Sequence, residues 1–121
     1  MAFNSAKTIR DTIESVLSQD YPEIEYIVID GGSTDSTLDI VQEYSDQIAY
    51  FKSEPDRGIY DAMNKGLNQA TGNLICFLNS DDVYFSSSLI EEVVKNFAVN
   101  DVDMVYGDVI YENSKARQVR Y

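Results

Sequence analysis

The 121-residue chain reads as an α/β domain built on a mostly parallel sheet flanked by helices, and three observations predict this. Short β-branched apolar runs alternate with segments whose apolar residues recur at helical spacing. The runs are apolar on both faces, as strands covered by helices on both sides must be. Each run also ends in a cluster of polar residues, and sheets of this kind bind ligands beyond the carboxyl ends of their strands.

Ile9, Ile13, Val16 and Leu17 mark a first helix behind Ser5, its expected N-cap, with Tyr21-Pro22 closing the segment. EYIVI (25–29) is the first strand, and Leu38, Val41 and Tyr44 line a second helix. IAYFK (48–52) is a strand; Ile59, Met63, Leu67 and Ala70 give a third helical face, ended by Gly72 as C-cap. LICFL (74–78) is the third strand, which makes its Cys76 a buried, inert thiol. Ser88 and Glu91 form a capping box for a helix carrying Leu89, Val93, Val94 and Phe97. Strands are expected at 102–106 and 108–112, the second antiparallel to its neighbours. With no repeat or linker, residues 1–121 are expected to form one domain.

Composition narrows the function. With 44% hydrophobic and 25% charged residues the chain is of globular type, not disordered. Its 21 acidic against 9 basic residues, a net charge of −12, disfavour nucleic acid, whose phosphates need Lys and Arg. One cysteine and no histidine exclude a disulfide framework and a Cys/His metal site. Without a membrane-length apolar run or a leader-like segment, the expected location is cytoplasmic. Only three residues precede Asn4 where such a pattern starts with a strand, so an opening strand is expected to have been cut away, and the charged tail NSKARQVRY does not read as a finish.

The polar clusters carry the chemistry. In DGGSTDST (30–37), Gly31 and Gly32 let the backbone turn and approach a ligand, while Ser33 and Asp35 can cap the next helix. A simple strand–turn–helix joint explains this loop equally well, although Asp30 sits at the strand terminus, outside the cap. SEPDRGIYDAMNKG (53–66) sets Arg57 and Lys65 beside Asp56, Asp61 and Asn64, where a cation near a helix start can hold phosphate or simply pair with the neighbouring acids. Asp81 and Asp82 repel each other unless a positive partner joins them. Hard carboxylate oxygens suit Mg²⁺ or Mn²⁺, which completes its shell with water and substrate phosphate; a solvated, helix-capping turn is the plainer alternative.

VIDGGSTDST, SEPDRGIYDAMNKGLNQATG and FLNSDD, in this order and spacing, closely resemble the nucleotide-binding part of the inverting family 2 glycosyltransferases with the GT-A (Rossmann-like) fold. The resemblance runs from NSAKTIRDTIESVLSQDYP through VDMVYGDV, and it rests on the three motifs together, since DGGSTD alone is weak. It implies that Asp30 contacts the base of a nucleotide diphosphosugar, UDP-linked by preference, in a pocket shaped by Gly32, Ser33 and Asp35. Asp56 and Arg57, with the helix carrying Asp61, Asn64 and Lys65, then border the nucleotide. Asp81 and Asp82 correspond to the family's DxD-type element, divided between metal–diphosphate and ribose; Asn79 occupies its first position, so both carboxylates stand as metal candidates, for Mg²⁺ or Mn²⁺.

The implied reaction moves the sugar to an acceptor hydroxyl with inversion, in bacterial surface polysaccharide synthesis, with a saccharide or lipid-linked acceptor. The parent protein would be a cytoplasmic enzyme, peripheral at the inner membrane. The family's catalytic base lies in a later acidic segment not matched here, and its first strand is missing apart from Asn4. The isolated chain is therefore expected to be inactive and to leave sheet edges open to rearrangement or to a second copy. A non-catalytic nucleotide-binding fragment is the alternative. A phospho-acceptor receiver domain is disfavoured, because the acidic pair follows 74–78 instead of the first strand and no Lys ends 102–106.

Overall fold

The computed structural model describes residues 1–113 and 116–120, with 113 and 116–120 described by backbone alone. It divides into two compact units, Met1–Ile90 and Glu91–Tyr121.

The first unit contains α1 (Ile9–Leu17), β1 (Ile27–Asp30), α2 (Thr37–Glu43), a 3-10 turn (Ser45–Gln47), β2 (Tyr50–Ser53) and α3 (Ile59–Gln69). β1 and β2 pair in parallel, Val28 opposite Phe51 and Asp30 opposite Ser53. Parallel neighbours need a crossover connection, which α2 supplies. Strand side chains alternate between faces. Val28 joins Ala2, Ile9, Ile13 and Val41 in the buried core, with Leu17, Tyr26 and Phe51 packed against it. Ile29 points the other way and meets α3 at Gly66, where a Cβ would stand 3.6 Å from its Cγ1. Helices α1 and α2 therefore cover one face of the parallel pair and α3 the other, as an α/β fold requires. Each Val or Ile buried in this way contributes about 1.5–3 kcal/mol.

Three local expectations are corrected in this unit. The N-cap of α1 is Thr8, not Ser5, whose carbonyl instead accepts the N–H groups of Thr8 and Ile9. The C-cap of α3 is Ala70, not Gly72. Residues 74–78 form no ladder among the described residues, and Leu74, Ile75 and Phe77 stay exposed. A strand exists only through a hydrogen-bonded neighbour, and here the one hydrogen bond from 74–78 to the sheet region among the described residues comes from the Met1 amine, which donates to the Leu78 carbonyl at 2.8 Å. Residues 1–2 reach β1 at its carboxyl end alone: the Ala2 N–H donates to the Ile29 carbonyl and the Ala2 carbonyl accepts from Gly31, both at 2.9 Å. Cys76 is consequently exposed, with its Sγ 3.0 Å from the Tyr84 hydroxyl, and is not the buried thiol expected.

Helix α4 (Leu89–Val99) begins in the first unit and continues into the second, where Glu91 and Lys95 pair one turn apart at 3.1 Å. The antiparallel strand expected at 108–112 is β3 (Val109–Asn113), paired with β4 (Ala116–Arg120) so that Ile110 lies opposite Val119. The strand expected at 102–106 does not form; Met104 and Tyr106 project into solvent, and nothing pairs with the segment among the described residues. No described helix is long and apolar enough to cross a membrane.

Candidate functional site

The carboxyl ends of β1 and β2 lie side by side, and the residues that follow them form a joint edge. Asp30 is the last residue of β1 and is 0% exposed. Its Oδ2 accepts the N–H groups of Gly32 (3.0 Å) and Ser33 (2.8 Å) and the Ser53 hydroxyl (2.7 Å), while Oδ1 accepts the Ser33 hydroxyl. A buried carboxylate is tolerated only when its acceptor sites are filled in this manner. Asp30, expected against a base, thus faces inward and fixes the β1–α2 turn.

The two loops touch through glycines. Gly32 adopts φ +87°, the left-handed region that glycine enters freely, and a Cβ there would stand 3.3 Å from the Pro55 nitrogen. A Cβ on Gly31 would stand only 2.6 Å from Asp56 Oδ2. Asp56 is half-buried, and its Oδ1 accepts the Gly58 N–H at 2.8 Å.

The N-cap of α2 is Ser36, without a side-chain cap bond, and not Ser33 or Asp35 as expected; Asp35 stands just before it. Its Oδ1 accepts the Thr37 hydroxyl and the Thr37 N–H (3.0 Å), and its Oδ2 accepts the Ala6 N–H (3.1 Å). These bonds, the Thr37 hydroxyl foremost, hold the Asp35 carboxyl below its ordinary 3.8. Neighbouring residues bring in the third loop. Asn4, at φ 47°, donates its N–H to the Ser33 hydroxyl at 2.7 Å and accepts the Thr34 N–H at 2.8 Å. Ser5 donates its N–H to Thr37 Oγ1 at 2.8 Å and shares a hydrogen bond with the Ser80 hydroxyl. Residues 4–6 therefore tie the 30–37 loop to the 79–82 loop.

Helix α1, with Gln19 just beyond its end, secures this loop and the residues after it through polar side chains that the apolar pattern of the sequence did not advertise. The Thr12 hydroxyl donates to the Asp82 carbonyl (2.8 Å), Ser15 Oγ accepts the Tyr84 N–H (3.2 Å), and Gln19 Nε2 donates to the Ser86 carbonyl (2.7 Å) while its Oε1 accepts the Ile90 N–H (3.1 Å). The signal was present as a second helical periodicity, Thr12, Ser15 and Gln19, beside the apolar one.

The remaining candidates divide into engaged and open groups. Lys65 lies 3.1 Å from both Glu54 and Asp61 and 3.4 Å from the Pro55 carbonyl. Lys52 and then Lys65 hold the Glu54 carboxyl below its usual range, as the Arg57 N–H and then Lys65 do for Asp61. Asn64 is exposed on α3, and the exposed guanidinium of Arg57 has no ion-pair partner among the described residues. Asp81 and Asp82 are exposed, unpaired with any cation among the described residues, and approached only by the Asn79 amide, 3.4 Å from Asp82 Oδ2. Two hard, uncompensated carboxylates fit Mg²⁺ or Mn²⁺. No group of three or more His, Cys, Asp or Glu converges among the described residues, so such an ion would draw its remaining ligands from water or a bound phosphate.

Comparison with known proteins identifies the family and the fold. The family model described as glycosyl transferase family 2 matches residues 1–121. A PGL/p-HBAD biosynthesis glycosyltransferase of Mycobacterium bovis is 33% identical over 118 residues, which is 94% of this chain and 46% of the relative, so the chain spans about half of that protein's length. The S. aureus TarS 1–349 structure in complex with UDP-GlcNAc superposes with a TM-score of 0.74 at 30% identity, over 81% of this chain and 29% of that one. The mannosyltransferase PcManGT of Pyrobaculum calidifontis, in complex with GDP-Man and Mn²⁺, superposes with a TM-score of 0.72 at 28% identity, over 78% and 29%. These neighbours share the GT-A fold.

Proposed function

The chain belongs to glycosyl transferase family 2, and from that premise we propose that it forms the donor side of an inverting enzyme that moves a sugar from a nucleotide diphosphosugar to an acceptor hydroxyl. The observation that carries the reading is the gathering of three loops, 30–37, 53–58 and 79–82, with Asp81, Asp82 and Arg57 left open while their neighbours are internally satisfied. Structures of similar proteins with UDP-GlcNAc or with GDP-Man and Mn²⁺ support a nucleotide-sugar donor and a divalent ion.

In this reading Asp30, Ser33, Asp35, Asp61 and Lys65 are framework, holding the loops in shape through the bonds described above. Gly32 allows the backbone to turn beneath the ligand. Arg57 and Asn64 face the diphosphate and sugar, and Asp81 and Asp82 hold Mg²⁺ or Mn²⁺. The ion, when bound, supplies positive charge against the departing diphosphate. Inversion means that the acceptor oxygen bonds to the anomeric carbon as the bond to diphosphate breaks, and the acceptor proton passes to a base. That base is sought in the part of the enzyme that has no counterpart in this chain, which on its own is proposed to bind donor without transferring it. A cytoplasmic, membrane-peripheral role in bacterial surface polysaccharide synthesis, with a saccharide or lipid-linked acceptor, completes the proposal.

Calorimetric titration with UDP in the presence and absence of Mn²⁺ tests it. Metal-dependent binding is expected, reduced about tenfold or more in Asp81→Ala or Asp82→Ala. Absence of binding by folded protein, or binding indifferent to both substitutions, would remove the reading. Sugar transfer by the 121-residue chain alone would overturn the assignment of the base to another segment.

A further inference from the structure

We propose that Asp56, seated over the bare Cα of Gly31, reads the base of the donor nucleotide by accepting a ring N–H at its pairing edge; this rests on the donor-binding reading above. Elimination leads to it. Among the carboxylates following β1 and β2, Asp30 and Asp35 are occupied by hydroxyls and main-chain N–H groups, and Glu54 and Asp61 are engaged with lysines. Asp61 takes both of its contacts, the Lys65 ammonium and the Arg57 N–H, on Oδ2, whereas Asp56 has no lysine partner and keeps its Oδ2 with no hydrogen-bond donor among the described residues.

Two contacts aim that oxygen. The Gly58 N–H holds Oδ1 at 2.8 Å, which sets the plane of the carboxylate. Gly31 provides the space: an added Cβ would lie 2.6 Å from Oδ2 and 3.1 Å from Cγ, inside any tolerable approach, so a side chain at position 31 would evict the carboxylate. The same contact places Asp56 beside the carboxyl end of β1, half-buried, where a hydrogen bond is stronger than in water.

A carboxylate only accepts. Uracil offers it N3–H and guanine N1–H, whereas cytosine and adenine present a ring nitrogen lone pair at that edge. A site built around such a bond discriminates strongly against a ligand that lacks the donor.

The test uses the full chain with Mn²⁺ and calorimetric titration of UDP, GDP, CDP and the ring-N-methylated form of whichever of UDP and GDP binds. That nucleotide is expected to bind at least about tenfold more tightly than CDP and than its methylated form. Asp56→Ala should remove most of the difference, weakening the parent nucleotide and leaving the methylated one unchanged. Gly31→Ala should reproduce the loss in the wild-type background and add nothing to Asp56→Ala. Equal weakening of parent and methylated nucleotides by Asp56→Ala, or additive effects of the two substitutions, would overturn the inference while leaving donor binding intact. Failure of every nucleotide to bind the folded chain would remove the donor-binding reading and this inference together.

Discussion

The hydroxyl of Thr12, on α1, donates to the main-chain carbonyl of Asp82 at 2.8 Å, so a helix seventy residues upstream holds the acidic loop in place. Thr12 is 3% exposed, and its near-isostere Val would leave that carbonyl without its donor. Thr12→Val should cost about 1–2 kcal/mol in urea unfolding and weaken Mn²⁺-dependent UDP binding. Unaltered metal-dependent affinity would show that the bond stabilises the fold without positioning the loop.

Asp30 should prove a stability residue. Asp30→Ala leaves two main-chain donors and two hydroxyls, those of Ser33 buried, without their acceptor and should cost about 3–5 kcal/mol, a large part of a small domain's margin. Asp30→Asn keeps one acceptor oxygen and should lose less. Chemical unfolding of both variants measures this, and a fully stable Asp30→Ala would contradict the inward orientation of the carboxylate.

The start of α2 should be acid-sensitive. Because the folded-state value of Asp35 is depressed, its stabilisation is complete above the unfolded value and disappears as pH falls through the folded one, below 3.8. Melting temperatures of wild type and Asp35→Asn, followed from about pH 6 to pH 2, should differ near neutrality and converge below about pH 3.8. A constant difference across the range would contradict this linkage.

Exposure of Cys76 predicts that a disulfide reagent labels it in native buffer nearly as fast as in denaturant. Strong native protection would mean that 74–78 is covered, as a paired strand would be.

The α/β class and the family were legible in the sequence because both depend on order and spacing. The runs around β1, β2 and α3 have the correct period, and the three polar motifs fall in one sequence of intervals. Segments 74–78 and 102–106 misled because an apolar run states a propensity, while a strand requires a partner. Asp30 was correctly placed at a strand end, but its sequence position carried no information on which way its carboxylate points. Gly31 was harder still. What matters about it is a missing Cβ, and that acquires meaning only once Asp56 is known to stand opposite.

The short segment from Asn4 to Ala6 has a mechanical consequence. It bonds to Ser33, Thr34, Asp35, Thr37 and Ser80 at once, so the 30–37 and 79–82 loops share a single keystone. A displacement of one of these two loops is felt by the other, and disturbance at this segment would loosen both together.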